Sequence, residues 1–196
     1  PDRLMAHLKL LEGDYGGFFP MSADGSRVLM AMSVQADPDH PVTPGVYNYI
    51  YDVTTAGEPH MVSLLPDGSV PKCGVPVFLS GSPSPYIIQG ANFIDINWLT
   101  PDGSRTFFIS SGNSCSAPPQ LYMRDIDAGE TRLLSGPVIS GPSCGAGFVK
   151  SIPRAAFFWT KSRLDPADRA PTDCTDASAD GDVYRLSLIH ISEPTR

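Results

Sequence analysis

Positive charge is scarce in this sequence and is never clustered. There are 14 Lys and Arg residues against 21 Asp and Glu, a formal net charge of −7 at pH 7. Nucleic acids and anionic membrane surfaces both attract clusters of Lys and Arg. No apolar run reaches the ~20 residues that a membrane-spanning helix needs. We therefore expect neither a nucleic-acid partner nor insertion into a membrane.

Closely spaced cysteines are also missing. Cys73, Cys115, Cys144 and Cys174 are far apart, with no Cys-x-x-Cys pair and no histidine nearby. That spacing is unlike a zinc site. Two interpretations stay open: two disulfides in an exported protein, or four unrelated thiols.

Turn-forming residues, by contrast, are abundant. Gly and Pro account for 18 and 20 of the 196 residues, and hydrophobic residues make up 41%. A chain of this size and hydrophobicity can bury one sizeable core. So much glycine and proline without a collagen period favours many short strands joined by loops. Because the chain begins at Pro1, we expect a cut N-terminus from which export cannot be read.

Three stretches of the chain repeat one pattern. They are SADGSRVLMAMS (Ser22–Ser33), TPDGSRTFFISS (Thr100–Ser111) and SIPRAAFFWTKS (Ser151–Ser162), the last without Asp-Gly. Asp-Gly favours a tight turn, because Gly accepts positive φ and Asp bonds to its own backbone. The apolar run that follows predicts a strand buried on both faces.

A second element follows the first two copies. The stretch from Val46 to Ser63 aligns with that from Gln120 to Ser135, matching Asp52 to Asp125 with one gap. In its first copy an aromatic or apolar residue occupies every second position, which is the period-2 pattern of a strand: Tyr47, Tyr49, Tyr51 and Val53. The Gly-Glu pair in each copy predicts a hairpin turn and a returning strand.

The repeat length is uneven. Phe107 and Phe157 are 50 residues apart, whereas Leu29 and Phe107 are 78 residues apart. The surplus lies between Ser69 and Trp98 and contains two further apolar runs. These runs predict additional strands, including an insertion.

The repeat resembles that of TolB-type β-propellers. The resemblance is carried by SADGSRVLMAM…YIYDVTTAGE and TPDGSRTFFIS…LYMRDIDAGE: a Ser/Thr-x-Asp-Gly-x-Arg turn, an apolar strand, then a Tyr-x-x-Asp strand ending in Gly-Glu. It implies an all-β fold, a partial β-propeller of about three blades of antiparallel strands. The incomplete propeller would span residues 1–185, in units of about 15–70, 71–140 and 141–185. Leu4–Asp14 would be a short amphipathic helix or, as we prefer, the end of a preceding blade.

One catalytic pattern is present in the sequence. GPSCG (Gly141–Gly145) fits the Gly-x-Ser-x-Gly nucleophile elbow, with Ser143 as the nucleophile. An elbow needs a strand before it, a helix after it, and an acid and then a histidine downstream. The residues that follow make a poor helix, and the only downstream histidine is His190. We therefore interpret the motif as a loop and predict no catalytic residue.

An aspartate-rich segment, TDCTDASADGD (Thr172–Asp182), raises a calcium hypothesis. The candidate ligands are Asp173, Asp176, Asp180 and Asp182. Carboxylate oxygens suit Ca²⁺, but the spacing is not that of an EF-hand. ADPDH (Ala36–His40) is a similar, shorter loop. Solvated turn residues are the favoured interpretation of both.

Aromatic residues and histidines add no defined site. A sugar- or peptide-binding surface could use Trp98, Trp159 and the tyrosines at 47, 49 and 51, but strand packing is the favoured interpretation. The histidines before residue 186, which are His7, His40 and His60, are too dispersed to form a ligand set.

Two function classes follow from the resemblance. We favour a non-enzymatic propeller scaffold or binding module of a secreted or periplasmic bacterial protein, with a protein, peptide or glycan ligand. The alternative is the N-terminal propeller of a larger prolyl-oligopeptidase-like secreted peptidase. An elbow followed by Asp and His in the downstream coding sequence would favour the peptidase. We expect an extracellular or periplasmic location and no cofactor, with calcium as the one candidate.

The last stretch, LSLIHISEPTR (Leu186–Arg196), departs from the repeat. Tyr184 corresponds to Tyr122, so Ser187 stands where Asp125 would be, and no Gly-Glu turn follows. The eleven residues resemble an in-frame translation of a common transposase-type sequencing adapter. We therefore interpret 186–196 as a non-native tail, with a genuine strand as the alternative. We also expect residues 1–185 alone to express poorly or associate, because an incomplete propeller leaves strand edges unpaired.

Overall fold

The computed structural model describes residues 21–42, 48–54, 58–75, 98–168, 171–175 and 181–188. In these segments the chain forms nine β-strands and no helix, which confirms the predicted all-β class. The strands are β1 (Leu29–Met32), β2 (Tyr49–Asp52), β3 (His60–Met61), β4 (Arg105–Ser110), β5 (Gln120–Asp125), β6 (Glu130–Leu133), β7 (Gly147–Ile152), β8 (Ala155–Thr160) and β9 (Asp182–Ser187). The predictions for Leu4–Asp14 and for the insertion at residues 76–97 lie outside the described segments.

The strands form three antiparallel sheets, each with three strands, in the orders β1-β2-β3, β4-β5-β6 and β7-β8-β9. Every strand within a sheet pairs with its neighbour in sequence, so each sheet is a meander. The three predicted strands of the unit and their antiparallel order are confirmed in the first two sheets. The Gly-Glu turn is confirmed in the second sheet, whereas Gly57 of the first lies outside the described segments.

The apolar runs form the best-buried strands. All four residues of β1 are buried, as are five of the six residues of β4, which confirms strands covered on both faces. The Asp-Gly turns before them form as predicted, with φ of +71° at Gly25 and +74° at Gly103. The Asp102 carboxylate accepts a hydrogen bond from Ser104 N at 3.1 Å and so closes the second turn.

A cross-strand pair marks the same position in all three sheets. The pairs are Met30–Tyr51, Phe108–Tyr122 and Phe158–Tyr184. The two aromatic pairs are stacked, with ring centroids 5.3 and 5.5 Å apart. β8 and β9 are therefore equivalent to β4 and β5, and β7 is the strand that precedes them. Isolated bridges, Met21–Val28 and Leu99–Thr106, stand at that preceding position in the other two sheets.

The sequence alignment of the third copy is wrong by one residue. It matched Thr160 to Ile109, whereas the structure places Thr160 at the position of Ser110. Both hydroxyls donate to the carbonyl of an inter-sheet glycine, Gly145 and Gly74 respectively. A one-residue slip moves every side chain to the other face, so the correction changes which residues face the core. In the corrected alignment Phe157 is equivalent to Phe107, so the 50-residue spacing between them is the true repeat length here.

The match of Asp52 to Asp125 holds for their ion pairs with the equivalent arginines Arg27 and Arg105, but it is offset by two residues in the backbone register. Ile50 N and Leu121 N each donate to the serine of the returning segment, Ser63 and Ser135, at 3.0 Å in both cases. These contacts make Asp125 of the second sheet the positional equivalent of Thr54 in the first sheet, rather than of Asp52. A two-residue slip keeps each side chain on its face, so the apolar pattern alone could not detect it.

Neighbouring sheets pack through apolar side chains and one repeated arginine. The largest cluster, between the second and third sheets, contains Phe107, Ile109, Leu121, Met123, Ala146, Ala156, Phe158 and Leu188. Arg27 reaches from the first sheet to Gly103 O at 2.7 Å and to Asp127 at 2.9 Å in the second. Arg105 repeats this reach, donating to Leu188 O at 3.0 Å.

β9 extends into the suspected tail. Leu186 and Ser187 pair with Ala156 and Ala155 of β8, and Leu188 is buried in the cluster between the sheets. An apolar pattern is enough to place a strand here, whatever the origin of the residues. The assignment of 186–196 to an adapter stays a prediction, and residues 189–196 lie outside the described segments.

Candidate functional site

The loops at one end of the sheets form the candidate site. Because antiparallel strands alternate in direction, the loops β1–β2, β4–β5 and β8–β9 share an end with the connections between sheets. We call this the loop end; its described residues are 33–42, 62–75, 111–119, 134–146, 161–168 and 171–175. The Asp-Gly and Asp-Ala-Gly-Glu turns lie at the opposite, turn end.

Two disulfides join the segments of the loop end in the same way. Cys73, between the first and second sheets, is bonded to Cys115 in the β4–β5 loop. Cys144, between the second and third sheets, is bonded to Cys174 in the β8–β9 loop. Each disulfide therefore ties an inter-sheet connection to the next long loop. The four cysteines thus form two disulfides rather than standing as four unrelated thiols.

A glycine after the first cysteine of each disulfide completes the connection. Gly74 and Gly145 have φ of +58° and +77°. The Gly74 carbonyl accepts a hydrogen bond from the buried Ser110 hydroxyl at 2.6 Å, and the Gly145 carbonyl accepts one from the buried Thr160 hydroxyl. We call each set of disulfide, glycine and hydroxyl a latch. The sequence signal for a latch is the repeated Cys-Gly dipeptide, at Cys73-Gly74 and Cys144-Gly145, which the repeat pattern of strands and turns does not include.

Gly145 is also required by close packing. A Cβ atom at this position would lie 2.8 Å from the carbonyl oxygen of Pro119. Ala146 N donates to the same oxygen at 2.9 Å, which holds the connection against the β4–β5 loop. The connection between the second and third sheets is therefore fixed by backbone contacts as well as by its disulfide.

The β1–β2 loop is held by a buried carboxylate instead. Asp37 is 2% exposed, and its carboxylate accepts hydrogen bonds from Met61 N at 2.7 Å, His40 Nδ1 at 2.9 Å and Asp39 N at 3.0 Å. Burial by itself raises the pKa of Asp37, but these three hydrogen bonds outweigh it and hold the pKa below its ordinary value. The interpretation of this loop as solvated turn residues is therefore wrong for Asp37.

Asp37 also brings two distant parts of the first sheet together. Its Oδ2 accepts from both His40 in the loop and Met61 in β3, where His60 is the neighbouring residue. His40 has a partly exposed side chain that is oriented through Nδ1. His7 lies outside the described segments.

The Ser143 motif does not form a nucleophile elbow. β7 follows it where an elbow needs a helix. Ser143 is exposed, and its hydroxyl accepts a hydrogen bond from Gln120 Nε2 at 2.9 Å. Gln120 accepts in turn from Ser135 Oγ at 2.7 Å, so the serine belongs to a chain of polar contacts across the loop end. His190 lies outside the described segments.

The calcium candidates are only partly described. Asp173 accepts from Thr175 N at 2.8 Å and from Thr175 Oγ1 at 2.7 Å, the geometry of a local turn. Asp182 is exposed at the start of β9, and Asp176 and Asp180 lie outside the described segments. No group of three metal-ligating side chains occurs among the residues that the structure describes.

The tyrosines of β2 pack in the core rather than on a binding surface. Tyr49 and Tyr51 are 3% and 0% exposed and share a cluster with Val53, which confirms their predicted common face. Burial raises the pKa of Tyr51 to about 12, and its hydroxyl donates to Val34 O at 3.0 Å. Trp98 packs against the cluster between the second and third sheets. Tyr47 lies outside the described segments.

No known protein-family model matches this chain, and no curated protein sequence matches it. Among the described residues there is no helix that is long and apolar enough to cross a membrane. The two disulfides are compatible with an extracellular or periplasmic location.

Proposed function

We propose that this chain is part of a TolB-like β-propeller that acts as a non-enzymatic binding module and engages its ligand at the loop end. Three meander sheets with equivalent cross-strand pairs support a repeat of blades. Apolar side chains between consecutive sheets support face-to-face stacking of those blades.

The repeated latch is the observation that carries the proposal. Loops that are fixed before binding lose less conformational entropy when a ligand orders them. Two disulfides and two buried hydroxyls fix the loop end. The described turns of the turn end are held by hydrogen bonds and ion pairs alone, such as those of Arg27. A rigid scaffold that presents fixed loops is a common arrangement of a binding surface. The ligand class we propose is a protein, a peptide or a glycan.

A secreted or periplasmic location and the lack of catalysis belong to the same proposal. Disulfides persist in oxidising compartments, which supports export. The hydrogen bond between Ser143 and Gln120 supports a structural role for this serine, because a serine nucleophile needs an activating base. Calcium is not part of the proposal.

The test is a ligand screen with variants at both ends. The oxidised chain is exposed to a random-peptide display library and to a glycan array. Ser116→Arg places a large cation on an exposed residue of the loop end, and Ala128→Arg makes the matched change at the turn end. We expect at least one selected ligand whose binding is lost in the first variant and kept in the second.

Two results would overturn this proposal. Ligands that respond only to Ala128→Arg would place the binding surface at the wrong end. Selected ligands that bind equally well after both disulfides are reduced, with the sheets still folded, would show that the latches have no part in binding.

A further inference from the structure

The two disulfides of the loop end differ in their exposure to solvent. In the first latch Cys115 is exposed and Cys73 is half-buried. In the second latch Cys144 is only 9% exposed and Cys174 is half-buried. A thiolate opens a disulfide by attacking one of its two sulfur atoms, so access to a sulfur limits the reaction. The first latch therefore presents the more accessible cysteine to an external thiol.

The residues around Cys115 also suit an incoming thiolate. Cys115 lies in the tip of the β4–β5 loop, residues 113–116, all of which are exposed. The other three residues of the tip are Asn113, Ser114 and Ser116. These side chains are small and uncharged, so they neither repel an anionic reagent nor surround the cysteine with bulky groups.

The cysteines that would leave as thiolates differ between the two latches. Attack at Cys115 expels Cys73, whose neighbour in the chain is the exposed cation Lys72. Attack at Cys174 expels Cys144, which is buried. A nearby cation stabilises a thiolate, whereas burial disfavours the charged form. Thiol–disulfide exchange is faster when the leaving thiolate is more stable, so this difference also favours reaction at the first latch.

Carboxylates flank the more accessible cysteine of the second latch. Asp173 precedes Cys174, and Asp176 follows it by two residues. Hydrogen bonds from Thr175 N at 2.8 Å and Thr175 Oγ1 at 2.7 Å hold the Asp173 carboxylate in this turn. Fixed negative charge within about 10 Å repels an anionic thiolate at ordinary salt. The second latch is thus protected by charge as well as by burial.

We propose that Cys115 is a thiol-modification site, at which an external thiol forms a mixed disulfide and opens the first latch while the second stays closed. The attacking thiolate bonds to Cys115 Sγ, and the electron pair of the broken bond leaves on Cys73 Sγ, which takes up a proton from water. With a dithiol, the second thiolate of the reagent attacks the reagent's own sulfur in the mixed disulfide and releases Cys115. The reagent is oxidised to a disulfide and the latch is reduced by two electrons. This reaction is independent of what the loop end binds.

Opening the first latch releases the tip of the β4–β5 loop rather than its base. The base stays attached, because Cys73 N donates to Gly112 O at 3.1 Å. The tip has a longer hydrogen bond to the same connection, from Lys72 N to Asn113 Oδ1 at 3.3 Å. Reduction should therefore increase the motion of residues 113–116 and leave β4 and β5 in place.

The first test maps the reaction in the oxidised full chain. The chain is treated with glutathione, the reaction is quenched with excess N-ethylmaleimide, and the peptides are identified by mass spectrometry. We expect glutathione on Cys115, the maleimide on Cys73 and an intact Cys144–Cys174 bond. With dithiothreitol, the first latch should be reduced at least about tenfold faster than the second, because burial hinders both attack and departure there.

The second test changes the charges beside the two latches. Lys72→Glu should slow reduction of the first latch by about threefold or more at low salt, and less at high salt, since an anion replaces the cation beside the leaving thiolate. Lys150→Glu is the matched control, because Lys150 is exposed on β7 and lies outside the loop end. Asp173→Asn should speed reduction of the second latch, and asparagine keeps an acceptor for the turn to Thr175.

The third measurement is amide hydrogen exchange of the chain whose first latch has been reduced and alkylated. Exchange should rise at residues 113–116 and stay unchanged in β4 and β5. Unchanged exchange at the tip would show that the latch does not hold it.

Other outcomes would overturn the assignment of the site itself. Equal rates for the two latches, faster reduction of the second, or glutathione on Cys73 instead of Cys115 would each contradict it. Equal slowing by Lys72→Glu and Lys150→Glu would contradict the role given to Lys72.

Discussion

At the scale of single residues, the burial of Asp37 is the feature with the widest consequences. Its carboxylate replaces, in the first sheet, the disulfide that holds the equivalent loop in the other two. It also ties the loop to β3, a strand of only two residues. One ionised side chain therefore adds to the backbone pairing that attaches β3 to β2.

The Asp37→Asn variant should be less stable than the parent by about 1–3 kcal/mol, because a buried hydrogen-bond donor loses its acceptor. The measurement is urea unfolding of the oxidised chain at pH 7. Asp39→Asn is the matched control, since Asp39 is exposed and contributes only its backbone N–H to the cluster. Equal losses in the two variants would contradict the role given to Asp37.

The same carboxylate sets a pH dependence. The pKa of Asp37 is lower in the folded chain than its ordinary value of 3.8. A carboxyl group with a depressed folded pKa stabilises the fold above its unfolded pKa and loses this contribution as the pH falls through the folded pKa. Between pH 5 and about pH 2, the free energy of unfolding should therefore decrease less in Asp37→Asn than in the parent. An equal decrease of the free energy of unfolding in both proteins over this pH range would argue against this prediction.

Gly145→Ala tests the close approach at the second latch. Gly145 and Gly68 have similar φ, +77° and +80°, so an alanine at either position meets the same backbone strain. Only at Gly145 would the new Cβ also clash, at 2.8 Å from Pro119 O, whereas nothing lies within 4 Å at Gly68. Measured by thermal unfolding, the free energy of unfolding should fall by about 1 kcal/mol in Gly68→Ala and by clearly more in Gly145→Ala. Similar losses would mean that packing at Gly145 has no effect.

At the scale of elements, the latches connect loops that the strands alone would leave independent. The Cys73–Cys115 bond closes a sequence separation of 42 residues, and Cys144–Cys174 closes one of 30. A crosslink over such lengths restricts the unfolded chain, which in the entropy model stabilises the fold by about 3–4 kcal/mol for each bond.

Replacing both cysteines of one latch by serine should reduce the free energy of unfolding by roughly this amount, and the two latches should be nearly additive. Chemical unfolding of the two double variants and of the quadruple variant gives the three values. The far-ultraviolet spectrum should stay that of a β protein, since the sheets do not contain the cysteines. Loss of the spectrum in a single-latch variant would show that the sheets depend on the loop end.

Elements were also the scale at which sequence reasoning was most accurate. The strands, the turns and their order follow from local patterns: an apolar run after Asp-Gly, alternation around Tyr49 and Tyr51, and a Gly-Glu turn. The alignments between copies were less accurate, by two residues at Asp52 and by one at Thr160. Local patterns specify which residues form a strand, but the pairing partner is chosen by contacts far away in sequence.

At the scale of the whole molecule, the contact between the second and third sheets depends on residues near the end of the chain. Leu188 is 1% exposed and packs with Phe107, Phe158 and their neighbours. Its carbonyl also accepts the hydrogen bond from Arg105. The last described residue therefore contributes to the interface between two sheets.

Leu188→Ala should reduce the free energy of unfolding by about 2–5 kcal/mol, the range for truncating a buried leucine, because a cavity would form between the sheets. Leu133→Ala is the control, since Leu133 is 40% exposed on β6, and its loss should be well below that of the buried site. Guanidinium unfolding, followed by tryptophan fluorescence, measures both. An effect no larger at Leu188 than at Leu133 would show that this end of the chain is not part of the packed molecule.

The sequence by itself determined the strands, their turns and the all-β class, because these depend on neighbours within a few residues. It also pointed to Ser143 as a loop residue rather than a nucleophile. Only the tertiary structure decided which cysteines pair, that Ser110 and Thr160 close the two latches, and that Asp37 is buried. These contacts join residues 15 to 42 positions apart. Such contacts depend on how the sheets stack, and no local pattern of polarity encodes that stacking.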